Sequence, residues 1–305
     1  MLDYAALRAV SAVAETGSFE KAAEFLGVTP SAVSQRVRRL EERLGAVLIV
    51  RGTPCLATET GSWLCRHVEH VGLLEAELLQ RLPAPPTWSS GQQPRTVLHI
   101  GINADSLATW FLAPAAAFAV RTGHLIKFAV DDQDHTAEWL EQGRVVAAVT
   151  ASVSPVQGCR VVPLGALRYL ATASPDFVAR HLPRGLDAQA LADTPSLTFN
   201  EKDRLQERWA RQVFGRPVIG PTHWLPSSRG FVDACLAGMG WGMNPEPLVR
   251  AHLDAGRLVE LQADTPLDVP LHWQINRLAG AALEGLTQDI LAAAHGSLVP
   301  MSPAA

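Results

Sequence analysis

The first eighty residues carry three short helical patterns separated by turn signals. Leu7, Val10 and Ala14 recur at helical spacing, and Ser18 is a good N-cap for a second helix that carries two adjacent alanines. The segment Gly27-Val28-Thr29-Pro30 then predicts a turn into a third helix. Small residues in the second helix allow the third to cross it closely, so the pattern predicts a helix-turn-helix bundle.

The third helix has two contrasting faces. Its predicted inward stripe consists of Val33, Val37, Leu40 and Leu44. Its opposite face carries Ser31, Ser34, Gln35 and Arg38. Because short polar donors and arginine suit base edges and phosphates, this face predicts a DNA contact, an ordinary solvated face being the alternative. The predicted DNA-binding residues are Ser18, Thr29, Pro30, Ser31, Ser34, Gln35, Arg36, Arg38 and Arg51.

A hairpin and a long helix follow the third helix. Two short strands around Gly52-Thr53-Pro54 predict a wing that places Arg51 near the DNA backbone, and Thr58 caps a helix from about Glu59 to Leu82. The apolar positions of this helix are Leu64, Val68, Val71, Leu74, Leu78 and Leu82. Their spacing of three or four predicts a surface that pairs two chains; packing on its own domain is the alternative.

A proline-, serine- and glycine-rich segment, Leu82 to Pro94, marks a linker, with a domain boundary near 83–94. Beyond it, apolar runs predict strands at 96–102, 125–130, 145–150, 168–173 and 269–275, and a final helix covers roughly 281–294. Strands that alternate with helical patterns predict an α/β module with a mostly parallel sheet.

Composition and charge restrict the class of protein. The 305 residues are 48% hydrophobic, which excludes a disordered chain and suits about two domains. The net charge of −4 means that nucleic-acid binding requires a local basic patch. Between residues 36 and 51, five arginines stand against two glutamates, which supplies such a patch. With no signal peptide and no long apolar run, we expect a soluble cytoplasmic protein with no membrane partner.

The sequence offers no set of residues for catalysis. The four cysteines lie far apart without a C-x-x-C spacing, which predicts reduced buried thiols and no metal site. Gly238, Gly240 and Gly242 follow a helical segment, whereas a dinucleotide fingerprint follows a strand. Neither H-E-x-x-H nor G-x-S-x-G occurs. We therefore expect no catalytic residues, no metal and no cofactor, and a protein that is not an enzyme.

Two predicted helix starts are candidate ligand sites. Asp105 and Ser106 follow the first strand of the module, where Ser106 can cap a helix, and Ser227-Ser228 precede a later helix. Helix starts suit a carboxylate, and nearby aspartates suit an ammonium group, so a small zwitterion fits between them. Plain helix capping is the alternative. The predicted effector-binding residues are Asn103, Asp105, Ser106, Asp131, Asp132, Thr150, Ser227 and Ser228.

The run SFEKAAEFLGVTPSAVSQRVRRLEERLGAVLIVR, followed by TETG, resembles the LysR-type transcriptional regulators, and the resemblance covers the whole chain. It implies an all-α winged helix-turn-helix domain with a linker helix, joined to an α/β two-subdomain, periplasmic-binding-protein-like effector module. The implied divisions are 1–58 for DNA binding, 59–82 for the linker helix, 83–95 for the hinge, 96–165 with 267–305 for effector subdomain I, and 166–266 for effector subdomain II. The implied partners are a double-stranded DNA operator, RNA polymerase and further copies of the chain, as homodimer or homotetramer.

Segments such as INADSLATWF, EQGRVVAAVT, VQGCRVVPLG and GMGWGMNPE are similar to the branch of this family often called ArgP or LysG. This implies lysine or arginine as effector and control of amino-acid export or metabolism genes. However, Asp131-Asp132-Gln133 replaces the usual Glu-Asp-Glu of the branch, and Arg229 stands where relatives have an acidic residue. A neutral or acidic amino acid, or another small metabolite, is therefore the competing effector.

Two other classes of protein stay open as alternatives. A carrier or sensor without DNA binding would use the amino-terminal bundle for oligomerisation alone, and an enzyme would use the cleft of the module. The first requires a secretion signal and the second a nucleophile–base or metal set. The sequence shows the arginine-rich third helix that a DNA-binding regulator requires, and neither of the other features.

Overall fold

The computed structural model describes residues 3–81, 97–131, 136–141, 144–280 and 282–301. These residues form two compact units: the first covers residues 3–81 together with 278–280 and 282, and the second covers residues 97–277 and 283–301. The predicted linker from Leu82 to Pro94 lies outside the described residues, as do Asp132 and Gln133.

The first unit is a helical bundle with a small hairpin. Its elements are α1 (Tyr4–Thr16), α2 (Phe19–Leu26), α3 (Pro30–Leu44), β1 (Ile49–Val50), β2 (Leu56–Ala57) and α4 (Glu59–Arg81). Side chains of Asp3, Ser18 and Thr29 accept backbone N–H groups at the starts of the first three helices. Glycines in the left-handed region end the same three helices, as capping patterns in the sequence indicate. The antiparallel β1–β2 pair confirms the predicted wing.

The core of the first unit lies between α1, α2 and α3. Val33, Val37 and Leu40 are buried in it, as predicted. Leu44 is 39% exposed, so the prediction that it belongs to the inward stripe is wrong. The reason is that α3 ends at Leu44, and the chain turns away at Gly45.

The second unit is an α/β module. Its first part contains β3 (Val97–Asn103), α5 (Ala104–Ser106), a π-helical turn (Leu107–Phe111), α6 (Leu112–Thr122), β4 (Leu125–Asp131), α7 (Thr136–Glu141) and β5 (Ala147–Thr150). The chain continues through β6 (Cys159–Ala173), α8 (Pro175–His181), α9 (Ala188–Ala192), β7 (Ser196–Thr198), α10 (Leu205–Phe214), β8 (Thr222–Trp224) and α11 (Ser228–Leu236). It ends with β9 (Gly242–Pro245), α12 (Glu246–Asp254), β10 (Val259–Glu260), β11 (Leu267–Asn276), a 3₁₀ turn (Arg277–Ala279) and α13 (Glu284–Ser297).

A seven-stranded sheet runs through this module. Its strand order is β10-β6-β11-β5-β3-β4, and β9 is also paired to β6. In this sheet β3 is parallel to β4 and β5, whereas β6, β9, β10 and β11 pair antiparallel. The prediction of a mostly parallel sheet is therefore wrong, although the α/β class is confirmed. We call the part of the module with β3, β4 and β5 the first lobe and the part with β7, β8 and β9 the second lobe. The long strands β6 and β11 connect them, because β11 pairs with β5 and β6, and β6 pairs with β9 and β10.

The strand β6 changes lobes near Gly165. This glycine has φ +130°, and a Cβ there would lie 2.9 Å from both Leu298 Cβ and Val299 O. The backbones of Ala166 and Val299 exchange hydrogen bonds of 2.8 and 2.9 Å at the same point. A side chain at position 165 would therefore meet the returning carboxyl-terminal segment.

Candidate functional site

The outward face of α3 is the candidate nucleic-acid surface of the first unit. Ser31, Gln35 and Arg38 are exposed on it, whereas Ser34 and Arg36 are half-buried. Residues 31, 35 and 38 lie one turn apart along the same side of the helix. The structure therefore brings three of the predicted DNA-binding side chains together on one exposed surface.

Other predicted DNA-binding residues shape the starts of the helices. The Ser18 hydroxyl accepts the N–H groups of Glu20 and Lys21 at 3.2 and 3.4 Å. Thr29 Oγ1 accepts the N–H of Ala32 at 3.2 Å and lies 3.0 Å from Ser31 Oγ, and Pro30 begins α3. These caps hold the amino-terminal ends of α2 and α3, where the helix dipole favours a phosphate.

The two glutamates of the basic patch are engaged within the protein. Glu42 Oε1 accepts the Arg38 Nε–H at 2.8 Å. Glu41 Oε1 accepts the backbone N–H groups of Leu48 and Ile49 at 2.8 and 3.3 Å. Glu41 therefore ties the end of α3 to the first strand of the wing, which fixes the wing relative to the outward face of α3.

Arg51 is held on the wing by an aromatic ring. Its guanidinium carbon lies 5.1 Å from the centre of the Phe19 ring, a cation–π geometry. The wing itself docks on the α1–α2 turn, where Cys55 N–H donates to Gly17 O at 2.8 Å. The pattern of the sequence placed Arg51 on the wing but gave no signal for Phe19, which lies 32 positions earlier.

In the second unit, polar residues end the three parallel strands at one edge of the sheet. Asn103 at the end of β3 is in register with Asp131 at the end of β4. Ala147 of β5 is in register with Ile100 of β3. Both strands end three residues later, β5 at Thr150 and β3 at Asn103. Ligands of α/β sheets bind outside the carboxyl ends of such strands. The structure therefore brings predicted effector residues from three strands to the edge where a ligand is expected.

Three polar side chains at this edge are buried without a hydrogen-bond partner among the described residues. They are the Asn103 amide, with both its oxygen and its nitrogen, the Ser106 hydroxyl and the Ser228 hydroxyl. Their exposures are 1%, 0% and 7%. Burying a polar group without a partner costs roughly 1–3 kcal/mol, so such groups in a native protein indicate a bound molecule or water.

The prediction that Ser106 caps a helix is wrong. The helix begins at Ala104 with Asn103 in the N-cap position, and Asn103 makes no side-chain capping bond. Ser106 therefore lies within the helical turn. Across the module, Ser227 does cap α11, accepting the N–H of Gly230 at 3.1 Å. Thr150 Oγ1 accepts the N–H of Ser152 at 3.0 Å.

Asp105 is the acidic side chain at the centre of this site. Its Oδ2 accepts the Tyr169 hydroxyl at 2.8 Å. Burial raises the pKa of Asp105; Ser228 and Tyr169 oppose that shift, and the negative charge of Asp203 adds to it. Ser228 Oγ thus lies near enough to favour the charged carboxylate, although it forms no hydrogen bond of regular geometry.

The second lobe contributes two residues that sequence reasoning missed. Tyr169 lies on β6, within an apolar run predicted as a buried strand, and nothing in that run shows its contact with Asp105. Asp203 follows β7 and is 5% exposed; its carboxylate accepts the N–H groups of Phe199 and Leu205 at 3.0 and 2.9 Å. Arg229, next to Ser228, is exposed.

Comparison with known proteins agrees with both units. Residues 4–62 match the bacterial regulatory helix-turn-helix protein, lysR family, and residues 91–297 match the LysR substrate binding domain. The chain belongs to the LysR family. It is a LysR-type DNA-binding transcriptional regulator, in which the helix-turn-helix unit and the effector module correspond to these two matches.

Individual LysR-type relatives cover almost the whole chain. The transcriptional regulator LysG of Mycobacterium bovis is 45% identical over 97% of this chain and 94% of the relative. The crystal structure of ArgP from Mycobacterium tuberculosis has a TM-score of 0.81 at 44% identity, covering 99% and 100%. Full-length LysG from Corynebacterium glutamicum with bound effector Arg has a TM-score of 0.70 at 36% identity, covering 98% and 100%.

The relative from Mycobacterium bovis is named as a transcriptional regulator. Within the described part of this LysR-type chain, no group of histidine, cysteine, aspartate or glutamate side chains could hold a metal ion. None of the described helices combines the length and apolar character that a membrane span requires.

Proposed function

We propose that this regulator binds a free amino acid at the edge formed by Asn103, Asp105 and Thr150, and that the bound ligand changes how the protein binds DNA. The observation that carries the proposal is the set of buried, unpartnered hydroxyl and amide groups beside the Asp105 carboxylate. A zwitterion satisfies both kinds of group, with its carboxylate on the neutral donors and its ammonium on Asp105.

We propose lysine or arginine as the first candidate effectors. The bound arginine named for the Corynebacterium glutamicum relative supports this class. The neighbouring carboxylates of Asp105 and Asp203 also favour a cationic ligand, because a positive charge reduces the repulsion between two negative groups. The regulated genes would then serve amino-acid export or metabolism, and the protein would act in the cytoplasm together with RNA polymerase.

A non-basic metabolite is the second candidate, and Arg229 favours it. Its exposed side chain stands in the first turn of α11, directly after Ser228. A guanidinium there attracts an acidic side chain rather than a basic one. Glutamate and aspartate are therefore the ligands to compare with lysine and arginine.

We propose that DNA is bound by the outward face of α3 and the wing. Ser31, Gln35 and Arg38 would contact base edges, while Arg51 and the capped helix starts at Ser18, Thr29 and Pro30 would contact phosphates. Half-buried Ser34 and Arg36 flank this surface. A solvated helix face would show no preference for one duplex sequence over another.

We propose that α4 pairs two chains. Leu64 and Val68 pack partly on the core of their own unit, so the alternative of packing within the domain holds for that half of the stripe. Further along, Leu74 and Leu78 are 46% and 56% exposed in the single chain. A dimer, or a dimer of dimers, would cover them and would present two copies of α3 to two half-sites.

Calorimetry on the full-length chain tests the effector. Binding of lysine or arginine, and not of glutamate, leucine or aspartate, is the expected result. The double variant Gln133→Glu with Arg229→Glu, which restores the acidic pattern of the ArgP or LysG branch, should then strengthen binding of the basic ligands by very roughly 1 kcal/mol per charge pair. Binding of none of these amino acids would contradict the proposal, and preferential binding of glutamate would favour the second candidate.

A further inference from the structure

Tyr169 connects the two lobes at the ligand edge. Tyr169 lies on β6, where it pairs with Pro245 of β9 and with Leu267 of β11, and it is 1% exposed. Its hydroxyl reaches Asp105, 64 positions earlier in the chain, at 2.8 Å. Asp105 stands at the start of the first helix of the opposite lobe. A buried ring in one lobe thus fixes a carboxylate of the other.

We infer that Tyr169 is a positioning residue, which orients the Asp105 carboxylate toward the ammonium group of the ligand. The inference rests on the proposed function of this edge. A carboxylate has about four acceptor positions, so the bond from Tyr169 occupies one of them and leaves others for an ammonium group. The rotation of the carboxylate about its side-chain bond is restricted by that bond, which reduces the ordering required when a ligand binds.

The groups around Asp105 act on its pKa in opposite directions. The groups that face Asp105 in the described residues are the hydroxyl of Tyr169 from β6, the hydroxyl of Ser228 from α11 and the carboxylate of Asp203 from the loop before α10. Burial and Asp203 favour the neutral form of Asp105, and the two hydroxyls favour the charged form. Because an ammonium group binds a carboxylate far better than a neutral acid, removal of the Tyr169 hydroxyl should weaken binding most at low pH.

The variant Tyr169→Phe tests this inference, because it keeps the buried ring and removes the hydroxyl. Dissociation constants for arginine and lysine are measured by calorimetry on the full-length chain between about pH 5 and pH 8. We expect weaker binding at neutral pH, by about tenfold for one hydrogen bond to a charged group. We also expect the pH at which binding is half lost to move upward, because Asp105 takes up its proton at a higher pH.

Two controls separate positioning from a merely structural role. Tyr4→Phe removes the one other tyrosine hydroxyl of the chain, in the first unit, and should leave ligand binding unchanged. The arginine analogue 5-guanidinopentanoate, which lacks the α-amino group, should bind Tyr169→Phe as tightly as it binds the unmutated protein. Melting curves confirm that each variant is folded.

Each outcome decides between the alternatives. An unchanged dissociation constant and pH midpoint in Tyr169→Phe would overturn the inference. So would a uniform loss of affinity at every pH, or an equal loss for the analogue, because a structural defect affects all ligands alike. If the unmutated protein binds no amino acid at all, the proposed function itself fails, which is a different result from selective loss in the variant.

Discussion

The guanidinium carbon of Arg51 lies 5.1 Å from the centre of the Phe19 ring, so the wing and the start of α2 meet through one cation–π contact. Arg51 is exposed, whereas Phe19 is partly buried against the core of the first unit. A rigid ring therefore supports a charged side chain that would otherwise move freely in solvent. This arrangement makes Phe19 a part of the candidate DNA surface even though it need not touch DNA.

We expect Arg51→Ala to weaken binding to operator and to random duplexes alike, and to lower the slope of log affinity against log salt by about 0.9. Phe19→Leu should weaken both by about 0.5–1 kcal/mol through loss of the ring contact. Gel-shift titrations at several salt concentrations measure these effects. In a double-mutant cycle, Phe19→Leu should add little to Arg51→Ala; full additivity would show that the two residues act independently.

Gln35 should govern the choice of sequence rather than overall affinity. The variant Gln35→Ala is expected to reduce discrimination between the operator and random DNA by about 1–3 kcal/mol, because it removes a side chain that can contact a base edge. Titrations of both duplexes, with the operator first selected from a random-sequence pool, provide the measurement. Arg51→Ala is the matched contrast. Unchanged selectivity in Gln35→Ala would contradict the proposed orientation of α3.

Leu74 tests the pairing surface on α4. Leu74→Glu would place a charge in an apolar seam and should weaken assembly by roughly 3–5 kcal/mol, whereas Leu74→Met keeps the seam apolar and should preserve it. Light scattering at micromolar concentration should show smaller particles for the glutamate variant alone. A native mass for Leu74→Glu would mean that the chains pair through another surface.

We expect the ionised Asp105 carboxylate, which serves ligand binding, to lower the stability of the folded protein. Because burial raises its pKa above the unfolded value of about 3.9, the folded protein binds the proton more tightly, and stability falls as pH rises through this window. Asp105→Asn removes the buried charge. We expect Asp105→Asn to melt at a higher temperature than the unmutated protein at pH 7–8. This difference should shrink toward acidic pH. The variant should also lose amino-acid binding. A lower melting temperature at neutral pH would contradict the assignment of burial as the dominant effect.

Gly165 should resist substitution where β6 changes lobes. Gly165→Ala places a Cβ 2.9 Å from Leu298 Cβ and Val299 O, at a φ of +130°. The matched control is Gly158→Ala, at φ +83°, where a Cβ has nothing within 4 Å. We expect a loss of about 1–2 kcal/mol for the control, from backbone strain alone, and a further 1–3 kcal/mol for Gly165→Ala. Urea denaturation curves compare the two, and equal midpoints would show that the carboxyl-terminal segment moves aside.

Sequence patterns determined the features whose hydrogen bonds close within a few residues. Ser18 and Thr29 cap helices through N–H groups two or three positions away, and the glycines after α1 and α2 end them in the same turn. The short wing strands and the start of α4 after Thr58 were likewise predictable. The interactions that form the helix ends and the β1–β2 pair lie within local segments, whereas the docking of the wing on Gly17 is a long-range contact.

Tertiary structure alone decided the features that join distant segments. The antiparallel pairing of β6 with β11 joins residues about 100 positions apart, and an apolar run carries no sign of the direction in which its partner runs. Leu44 is exposed because no continuation of α3 carries it over the core. Ser106 is buried within a helix rather than capping it. The contact of Tyr169 with Asp105 exists because the folded sheet brings the interior of β6 close to the helical turn that follows β3. The two residues are 64 positions apart, and no local pattern records their contact.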